Sequence, residues 1–405
     1  MKRILPILLV IILVLLPCCS EKPDADLPGE DEIHTSQVVS RLTAEYGDHV
    51  YTEHDYELHR YNRKTGVMQT VCTDPNCGPD CFLCSPSREI TQVVDGRLYG
   101  CYMLIRTREF AYAYWDIVTN EQKVLLTLPR SETPEMNPPV LNGRYLYYTG
   151  QYLREDGDAK NPDDYQPYVG RIPMDGGEPE VVCSRESNLL EHLLAVSDGK
   201  AITSLNACLY AIDFDTDERT LLFDPEEHGL SRRHEWYSYL DGKLYLLYHS
   251  PEFSEEKLAH EDISFTGRLY YSYLVRIDTQ TGEMTRLPDK GVDKFWITED
   301  TIYYTKQGFR VFYISPENFD ENAPYESTVF APSLETIYAC DLDGSNRREV
   351  HTDPLMDIYT HDGTVIDDCY YGLIAFYDET QHKKVVSYGT LDFTTGEFTP
   401  AVIEE

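Results

Sequence analysis

Four cysteines, Cys72, Cys77, Cys81 and Cys84, fall within thirteen residues with the spacing C-x4-C-x3-C-x2-C. Interspersed prolines and a glycine favour a tight loop. Such a loop can form two disulfides, or its four thiolates can bind one Zn²⁺ tetrahedrally. Cys81 and Cys84 also form a C-x-x-C, the spacing of dithiol redox centres, but no βαβ pattern surrounds them. The sequence therefore predicts a loop that is cross-linked by disulfides or held by a bound metal ion. It does not decide between disulfide, metal and redox chemistry.

A second candidate metal site, for calcium, comprises Asp213, Asp215 and Asp217. Carboxylates at alternate positions are typical of the first half of a calcium loop. The sixth position of that loop requires glycine, and this chain has Glu218 there. We therefore interpret the segment as a hairpin turn, and we keep zinc and calcium as the structural cofactors to test.

Acidic residues and aromatic rings occur together in three segments that interrupt the strand pattern, within 154–167, 250–267 and 306–336. Carboxylates beside aromatic rings suit sugars, cationic peptides or Ca²⁺. Long loops on a rigid scaffold are common binding sites. The candidate binding residues are Asp156, Asp158, Asp163, Asp164, Tyr165, Tyr168, Phe253, Glu255, Phe319 and Tyr325.

The sequence contains none of the common catalytic motifs. Gly-x-Ser-x-Gly, His-Glu-x-x-His, the P-loop and the dinucleotide-binding glycine pattern do not occur in it. We assign no catalytic residue and favour a non-catalytic protein. Dispersed carboxylates could still form a glycosidase or lyase site, so a glycan-active enzyme stays an alternative.

Short strands must position these residues, because a Tyr-rich β repeat runs through the chain. Each unit begins at a turn such as Asp95-Gly96 or Asp241-Gly242, which suits a two-residue hairpin. A second hairpin follows, with the form apolar-Asp-x-x-Thr-Gly that is clearest at 277–282 and 391–396. Seven such units predict an all-β, seven-bladed β-propeller of four-stranded antiparallel blades.

The repeat also predicts where the irregular segments lie. In a meandering blade with strands a to d, the a–b and c–d turns share one end of the ring. The three insertions and the cysteine segment fall in the other class of connection, so we expect them on one face. We place strand a of the first blade near residues 37–42 and strand d of the last blade near residues 397–403.

The N-terminus has the pattern of an export signal. Lys2 and Arg3 precede a largely apolar run of 13 residues, which is too short for an ordinary transmembrane helix. The following Pro17-Cys18-Cys19-Ser20 resembles the lipobox of bacterial lipoproteins, with Cys19 favoured over Cys18 as the lipidated residue. That resemblance implies acyl chains on Cys19 that anchor the protein in the lipid bilayer, facing outside the cytoplasm.

These patterns divide the chain into a signal peptide at 1–19, a flexible acidic tether at 20–36 and the propeller at 37–405. The net charge of −35 argues against nucleic acid as a partner. This charge is compatible with cations, cationic peptides or neutral glycans. We expect a monomeric propeller with a glycan or peptide ligand.

The repeat resembles TolB-like and low-density-lipoprotein-receptor-type propellers, most closely at 336–350, TIYACDLDGSNRREV. The whole chain is also similar to propeller lipoproteins of anaerobic Gram-positive bacteria, which carry a similar cysteine cluster after the first blade. The resemblance implies a fold more than an activity. We expect a binding or scaffolding module at the cell surface. The alternatives are a glycan-active enzyme and a metal- or redox-linked module centred on Cys72–Cys84.

Overall fold

The computed structural model describes part of the chain, almost all of it in antiparallel sheets. The described residues are 36–38, 43–54, 57–74, 76–78, 80–133, 137–155, 157–161, 164–184, 192–260, 263–306, 310–313, 328–331, 336–351, 356–358, 363–378 and 383–404. They form a seven-bladed propeller of mostly four-stranded blades, as the repeat predicts.

Strand β1 (Ser36–Val38) precedes the first blade, and blades 1 to 4 then contain four strands each in chain order. Blade 1 has β2 (Thr43–Tyr46), β3 (His49–His54), β4 (Glu57–Asn62) and β5 (Val67–Thr70). Blade 2 has β6 (Arg88–Val94), β7 (Arg97–Leu104), β8 (Glu109–Asp116) and β9 (Glu121–Pro129). Blade 3 has β10 (Val140–Asn142), β11 (Tyr145–Leu153), β12 (Tyr165–Pro173) and β13 (Glu180–Ser184). Blade 4 has β14 (His192–Ser197), β15 (Lys200–Leu205), β16 (Cys208–Asp213) and β17 (Arg219–Phe223).

A 3-10 helix (Pro225–His228) leads to the last three blades. Blade 5 has β18 (His234–Leu240), β19 (Lys243–His260), β20 (Ile263–Asp278) and β21 (Met284–Lys290). Blade 6 has β22 (Val292–Ile297) and β23 (Thr301–Lys306), then a separate hairpin of β24 (Arg310–Tyr313) and β25 (Thr328–Ala331), then β26 (Ile337–Asp341) and β27 (Arg348–His351). Blade 7 has β28 (Met356–Ile358), β29 (Thr364–Ile366), β30 (Cys369–Asp378), β31 (Lys383–Asp392) and β32 (Phe398–Pro400), and β33 (Val402–Glu404) ends the described chain.

The two ends of the propeller chain add strands to blades that lie elsewhere in sequence. Strand β33 pairs in parallel with β5, which gives blade 1 a fifth, outer strand. Strand β1 pairs antiparallel with β18, the innermost strand of blade 5, and so lies on the side of the ring axis. Our placement of strand a of blade 1 near residues 37–42 is therefore wrong, because that strand is Thr43–Tyr46. Strand d of the last blade, β32, lies within the predicted range of 397–403, but residues 402 and 403 of that range pair with blade 1 instead.

Turn chemistry explains why these residues form hairpins. Asp95 and Gly96 have φ angles of 48° and 75°, the left-handed pair that a two-residue hairpin requires, and Asp241 and Gly242 repeat it. In the c–d turns, one side-chain oxygen accepts the backbone N–H groups two and three residues further on. Asn62, Asp116, Asp213, Asp278 and Asp392 all do this.

Tyrosines fill much of the core between blades. Tyr61 of blade 1 contacts Tyr371 and Tyr388 of blade 7, with ring centroids 5.9 and 5.5 Å apart. Its hydroxyl also lies 2.8 Å from the Thr390 hydroxyl. Because these contacts join the first and last blades, they help to close the ring.

Within the described residues, no helix has the length and apolar character that crossing a membrane requires.

Candidate functional site

The propeller has two faces that differ in the connections they carry. The a–b and c–d turns lie on what we call the turn face, and the b–c and d–a connections lie on the opposite loop face. As predicted, three of the long connections lie on the loop face: the segments 71–87 and 154–164, and the hairpin β24–β25. The blade 5 insertion is a continuation of the β19–β20 hairpin rather than an irregular loop.

The cysteine cluster is a compact group of potential metal ligands among the described residues of this face. The Sγ atoms of Cys72, Cys77, Cys81 and Cys84 all lie within 4.8 Å of one another, and all four residues are half-buried. Successive tight turns bring them together, with the Cys77, Cys81 and Cys84 N–H groups donating to carbonyls three residues earlier. The spacing seen in the sequence thus corresponds to a single cluster, which could hold a metal such as zinc.

Phe82 anchors this loop in the core between blades 1 and 2. Its side chain is buried, and its ring lies 5.5 Å from that of Tyr102. Its backbone N–H and the Cys81 thiol both donate to Oε1 of Gln122, whose amide nitrogen donates to the Tyr102 hydroxyl. Gly100 provides the space, because a Cβ there would lie 2.3 Å from the Glu89 carbonyl oxygen and 3.1 Å from the Phe82 ring.

Two arginines lie beside the cluster. The buried Arg88 donates to the Phe82 carbonyl at 3.0 Å and pairs with Glu53 at 3.3 Å. Arg106 pairs with Asp80 at 3.1 Å, and its guanidinium would lie 3.8 Å from a Cβ added at Gly78. The cysteines therefore lie in a half-buried setting with positive charge nearby.

Two of the four thiols, those of Cys77 and Cys84, are poorly suited to redox chemistry. Burial, together with hydrogen bonds among the neighbouring cysteines, raises the pKa of Cys77 to about 12. Burial and the same neighbours raise the pKa of Cys84 even further. Redox-active cysteines need a lowered thiol pKa, because the thiolate is the nucleophile. The pKa values of Cys77 and Cys84 are instead raised, so these thiols are less readily deprotonated than a free cysteine.

The acidic segment of blade 3 forms hydrogen bonds with itself. Asp164 accepts the Asp158 N–H at 2.8 Å, and Asp158 accepts the Lys160 N–H at 3.0 Å. The Tyr165 hydroxyl donates to the Ala159 carbonyl at 3.3 Å. These three candidate residues are therefore brought together, and their polar atoms also hold the loop in shape.

The other predicted binding residues are dispersed or undescribed. Tyr168 is buried, stacks on Tyr152 with ring centroids 5.9 Å apart, and belongs to the core between blades 2 and 3. Phe253 and Glu255 lie in β19, opposite Tyr270 and Arg268 of β20. The remaining candidate residues and both lipidation candidates lie outside the described residues: Cys18, Cys19, Asp156, Asp163, Phe319 and Tyr325.

The candidate calcium segment is a hairpin turn, as we interpreted it. Asp213 accepts the N–H groups of Asp215 and Thr216, both at 3.1 Å, and Asp217 takes a φ of 57° at the end of the turn. Its geometry is that of the other c–d turns.

Sequence reasoning missed a cavity of about 340 Å³ on the loop face. It lies among blades 3, 4 and 5, where the chain enters their innermost strands. Its lining consists of Asn137, Pro138, His192, Leu193, Leu194, Ser204, Asn206, Ala207, Arg232, Arg233, His234 and Tyr237. This volume is at the lower end of the range of ligand pockets, about 300–1,000 Å³.

Hydrogen bonds hold the walls of this cavity in place. The buried Asn137 side chain lies 2.8 Å from Nδ1 of His192 and donates to the Thr149 hydroxyl at 3.2 Å. The Ser204 hydroxyl lies 2.8 Å from Nε2 of His234. The polar lining is therefore fixed by contacts that cross from one blade to the next.

A left-handed turn forms one wall. Asn206 and Ala207 have φ angles of 52° and 61°, which is uncommon for a residue with a Cβ. The buried Tyr248 hydroxyl donates to the Ala207 carbonyl at 2.6 Å. Backbone held in such a conformation by its surroundings often occurs at binding sites.

The lining differs in charge from the rest of the protein. Among the residues that the structure describes, twelve line the cavity, and they include two arginines and two histidines but no aspartate or glutamate. The whole chain, by contrast, carries 70 acidic residues. Arg232 also pairs with Asp224 and Glu226 just outside the cavity, at 3.1 and 3.2 Å. The cavity thus offers amide, imidazole, hydroxyl and guanidinium groups to a ligand.

No spacing pattern predicts this cavity, because its residues come from three blades and lie up to a hundred positions apart. A local clue is the pair Arg232-Arg233 within an otherwise acidic chain. This pair indicates a binding site only when the structure shows that the two arginines line the same cavity as His192 and Asn206.

Comparisons with known proteins find similarity of fold. Neither a protein-family model nor a curated protein matches the sequence. Among solved structures, the chain is similar to an oligogalacturonate lyase in complex with manganese, at 12% identity over 84% of each chain and a TM-score of 0.40. It is also similar to the Pyrococcus horikoshii acylaminoacyl peptidase, at 12% identity over 93% of this chain and 54% of that one, with a TM-score of 0.46.

A third similar structure is the nidogen/laminin complex, at 12% identity, 74% of this chain, 92% of that chain and a TM-score of 0.35. The chain spans about half the length of the acylaminoacyl peptidases it matches. The structural class of this protein, a seven-bladed propeller, follows from the arrangement of its own blades.

Proposed function

We propose that this protein is a lipid-anchored, extracytoplasmic binding module that takes up an acidic saccharide in the loop-face cavity without transforming it. One observation carries the proposal: in a chain of net charge −35, the described residues that line the cavity are all neutral or basic. Arg233 is the exposed cation for a carboxylate, since arginine pairs well with planar anions.

Saccharides suit the remaining lining better than peptides do. Asn206 and the imidazoles of His192 and His234 can exchange hydrogen bonds with hydroxyl groups, and the Tyr237 ring offers a flat surface. Polar groups at fixed positions within a small concave site favour a compact, hydroxyl-rich ligand. The acidic loop of blade 3, with Asp158 and Tyr165, would form part of the outer rim.

The direction of β1 supports an outward-facing cavity. Ser36 pairs with Leu240 at the turn-face end of β18, and Val38 pairs with Ser238 further along it. The strand therefore begins nearest the turn face. If Cys19 anchors the preceding segment in a bilayer, the turn face lies towards the membrane and the loop face lies away from it.

Binding is tested by titrating the purified full chain, in detergent, with a uronic acid trisaccharide and with the matching neutral trisaccharide. We expect saturable binding of the acidic sugar only. Arg233→Gln should weaken it at least about tenfold, since a charge-assisted hydrogen bond contributes about 1.5–3 kcal/mol. Arg348→Gln, at an exposed position of β27, is the matched control and should leave the affinity unchanged.

Two results would overturn the proposal. Equal affinity for the neutral sugar, or no effect of Arg233→Gln, would remove the anion-binding role of the cavity. Shortened saccharide products, lost on substitution of a single carboxylate, would make the protein a glycan-active enzyme.

The anchor is tested separately by expression in a bacterial host with metabolic labelling by a radioactive fatty acid. We expect label in the wild type and in Cys18→Ser, and none in Cys19→Ser. Label that survives Cys19→Ser and disappears in Cys18→Ser would assign the anchor to Cys18. Absence of label from all three proteins would contradict the lipoprotein assignment.

A further inference from the structure

We propose that Cys72, Cys77, Cys81 and Cys84 bind one Zn²⁺ as a structural tetrathiolate site, which fixes the connection between blades 1 and 2. The proposal is independent of what the loop-face cavity binds. It selects one of the chemistries that the cysteine spacing alone leaves open.

Convergence of the four sulfurs is the first argument. A tetrahedral site with Zn–S bonds of about 2.3 Å places its sulfurs about 3.8 Å apart. All four Sγ atoms here lie within 4.8 Å of one another, so small rotations of the side chains would complete the tetrahedron. In each of two disulfides, the two bonded sulfurs would lie about 2.05 Å apart. Disulfide bonding would not require the two pairs of sulfurs to lie close to each other.

Charge is the second argument. Zn²⁺ binding would release the four thiol protons to solvent and leave a centre with net charge −2. Arg88, whose side chain is fully buried, is electrostatically coupled to Cys81 and Cys84. It has Glu53 as its ion-pair partner, and its Nε has no hydrogen-bond acceptor among the described residues. The Arg88 guanidinium would stabilise a dianionic centre, whereas two disulfides would carry no charge for it to stabilise.

The ligand type decides which metal is bound. Thiolates are soft ligands that suit Zn²⁺, while Ca²⁺ takes oxygen ligands. The cluster is also closed, because its fourth position is filled by a cysteine rather than by water, which is typical of structural zinc rather than catalytic zinc. Calcium and catalysis are therefore not expected at this site.

The surrounding contacts give the site a defined position. Gln122 holds the Phe82 backbone, and Arg88 holds the Phe82 carbonyl, on either side of the turn that carries Cys81 and Cys84. When Cys81 releases its proton to solvent on binding the metal, its hydrogen bond to Gln122 is lost, but the bond from the Phe82 N–H remains. The ligands are thus fixed from the core side before a metal arrives.

The test is metal analysis of the full chain, purified in detergent without added metal or reductant, by elemental mass spectrometry. We expect about one zinc per chain, with loss of that zinc in Cys77→Ser and in Cys84→Ser. Cys208→Ser, at a cysteine of β16 far from the cluster in sequence, is the matched control and should retain the zinc.

A second measurement avoids variants that fail to fold. Wild-type protein stripped of metal should bind Co²⁺ and develop the visible absorption of a tetrahedral cobalt thiolate, and Zn²⁺ should displace it. A protein without zinc whose mass is lower by four hydrogens, with the peptide spanning 72–84 resistant to alkylation, would overturn the proposal in favour of two disulfides. Iron at one atom per chain would overturn the choice of zinc.

Discussion

The turn face and the loop face of the same ring differ in how much of their structure repeats from blade to blade. On the turn face, Asp278 and Asp392 cap their own turns with hydrogen bonds of 2.7–2.9 Å, as equivalent residues of other blades do. On the loop face, the cysteine cluster occurs once and the cavity is built by three blades that contribute different residues. The comparison teaches that the repeats maintain the ring, and that the departures from the repeat provide its candidate sites.

The largest expected effect is on the loop face and comes from zinc removal. If free zinc stands at about 1,000 times its dissociation constant, linkage predicts that chelation lowers the free energy of unfolding by about 4 kcal/mol. Chemical denaturation with and without chelator measures this change, and limited proteolysis should then cleave first between residues 71 and 87. If stability and cleavage are unchanged by chelation, zinc has no structural role on this face.

Two turn-face glycines give the next largest effect. Alanine at Gly282 would place a Cβ 2.3 Å from the Leu222 carbonyl oxygen at a φ of +74°, whereas Gly199 has open space at a φ of +70°. We expect Gly282→Ala to destabilise by about 3 kcal/mol and Gly199→Ala by about 1 kcal/mol. Thermal denaturation measures both. Zinc content should be the same in both variants, because the zinc site lies on the loop face. A change in zinc content would show that the two faces are not independent.

Two buried tyrosines sharpen the comparison, because each hydroxyl donates a hydrogen bond to a backbone carbonyl, one on the loop face and one on the turn face. Tyr248 donates to the Ala207 carbonyl at the cavity, and Tyr99 donates to the Met174 carbonyl beside a turn-face connection. We expect Tyr248→Phe and Tyr99→Phe each to destabilise by about 1.5 kcal/mol, because a buried carbonyl loses its donor. Titration should show weaker sugar binding in Tyr248→Phe alone. Equal weakening in both variants would indicate a general loss of structure.

The smallest expected effect is electrostatic. A hydrogen bond from Lys243 lowers the pKa of Asp278 to about 2, with the N–H groups of Gln280 and Thr281 as further causes. Because the unfolded pKa is about 3.9, the resulting stability is present above that pH and is lost as the pH falls towards 2.

Asp278→Asn keeps the oxygen that accepts both N–H groups and removes only the charge. We expect it to lower stability at pH 7 by about 1 kcal/mol, a small effect because the pair is partly exposed. Denaturant unfolding measured from pH 7 to pH 2 should show the difference from wild type shrinking with acidity. A difference that stays constant with pH would contradict the ion-pair explanation.

The sequence predicts the repeating parts well because their structure is local. Asp95-Gly96 and the Asp of each c–d turn determine φ angles and hydrogen bonds within a few residues, so the fold class and the face that carries the insertions follow from them. The cysteine cluster is predictable for the same reason, since its ligands lie within thirteen residues.

The remaining features depend on contacts that no local pattern encodes. Residues 36–38 form a strand, but their pairing with β18 rather than with blade 1 is decided by tertiary structure. Tyr168 has the sequence context of an exposed loop, yet the register of β12 turns its ring into the core between blades. His192 and His234 meet at one cavity only because neighbouring blades adjoin.

Hydrogen exchange of the full chain, with and without a saturating uronic acid trisaccharide, tests the central claim most directly. We predict slower exchange in the segments that line the cavity, 192–194, 204–207 and 232–237, and unchanged exchange in the c–d turns at 278–282 and 392–396. Protection on the turn face, or no protection at a saturating concentration, would contradict the claim that the loop face binds this ligand.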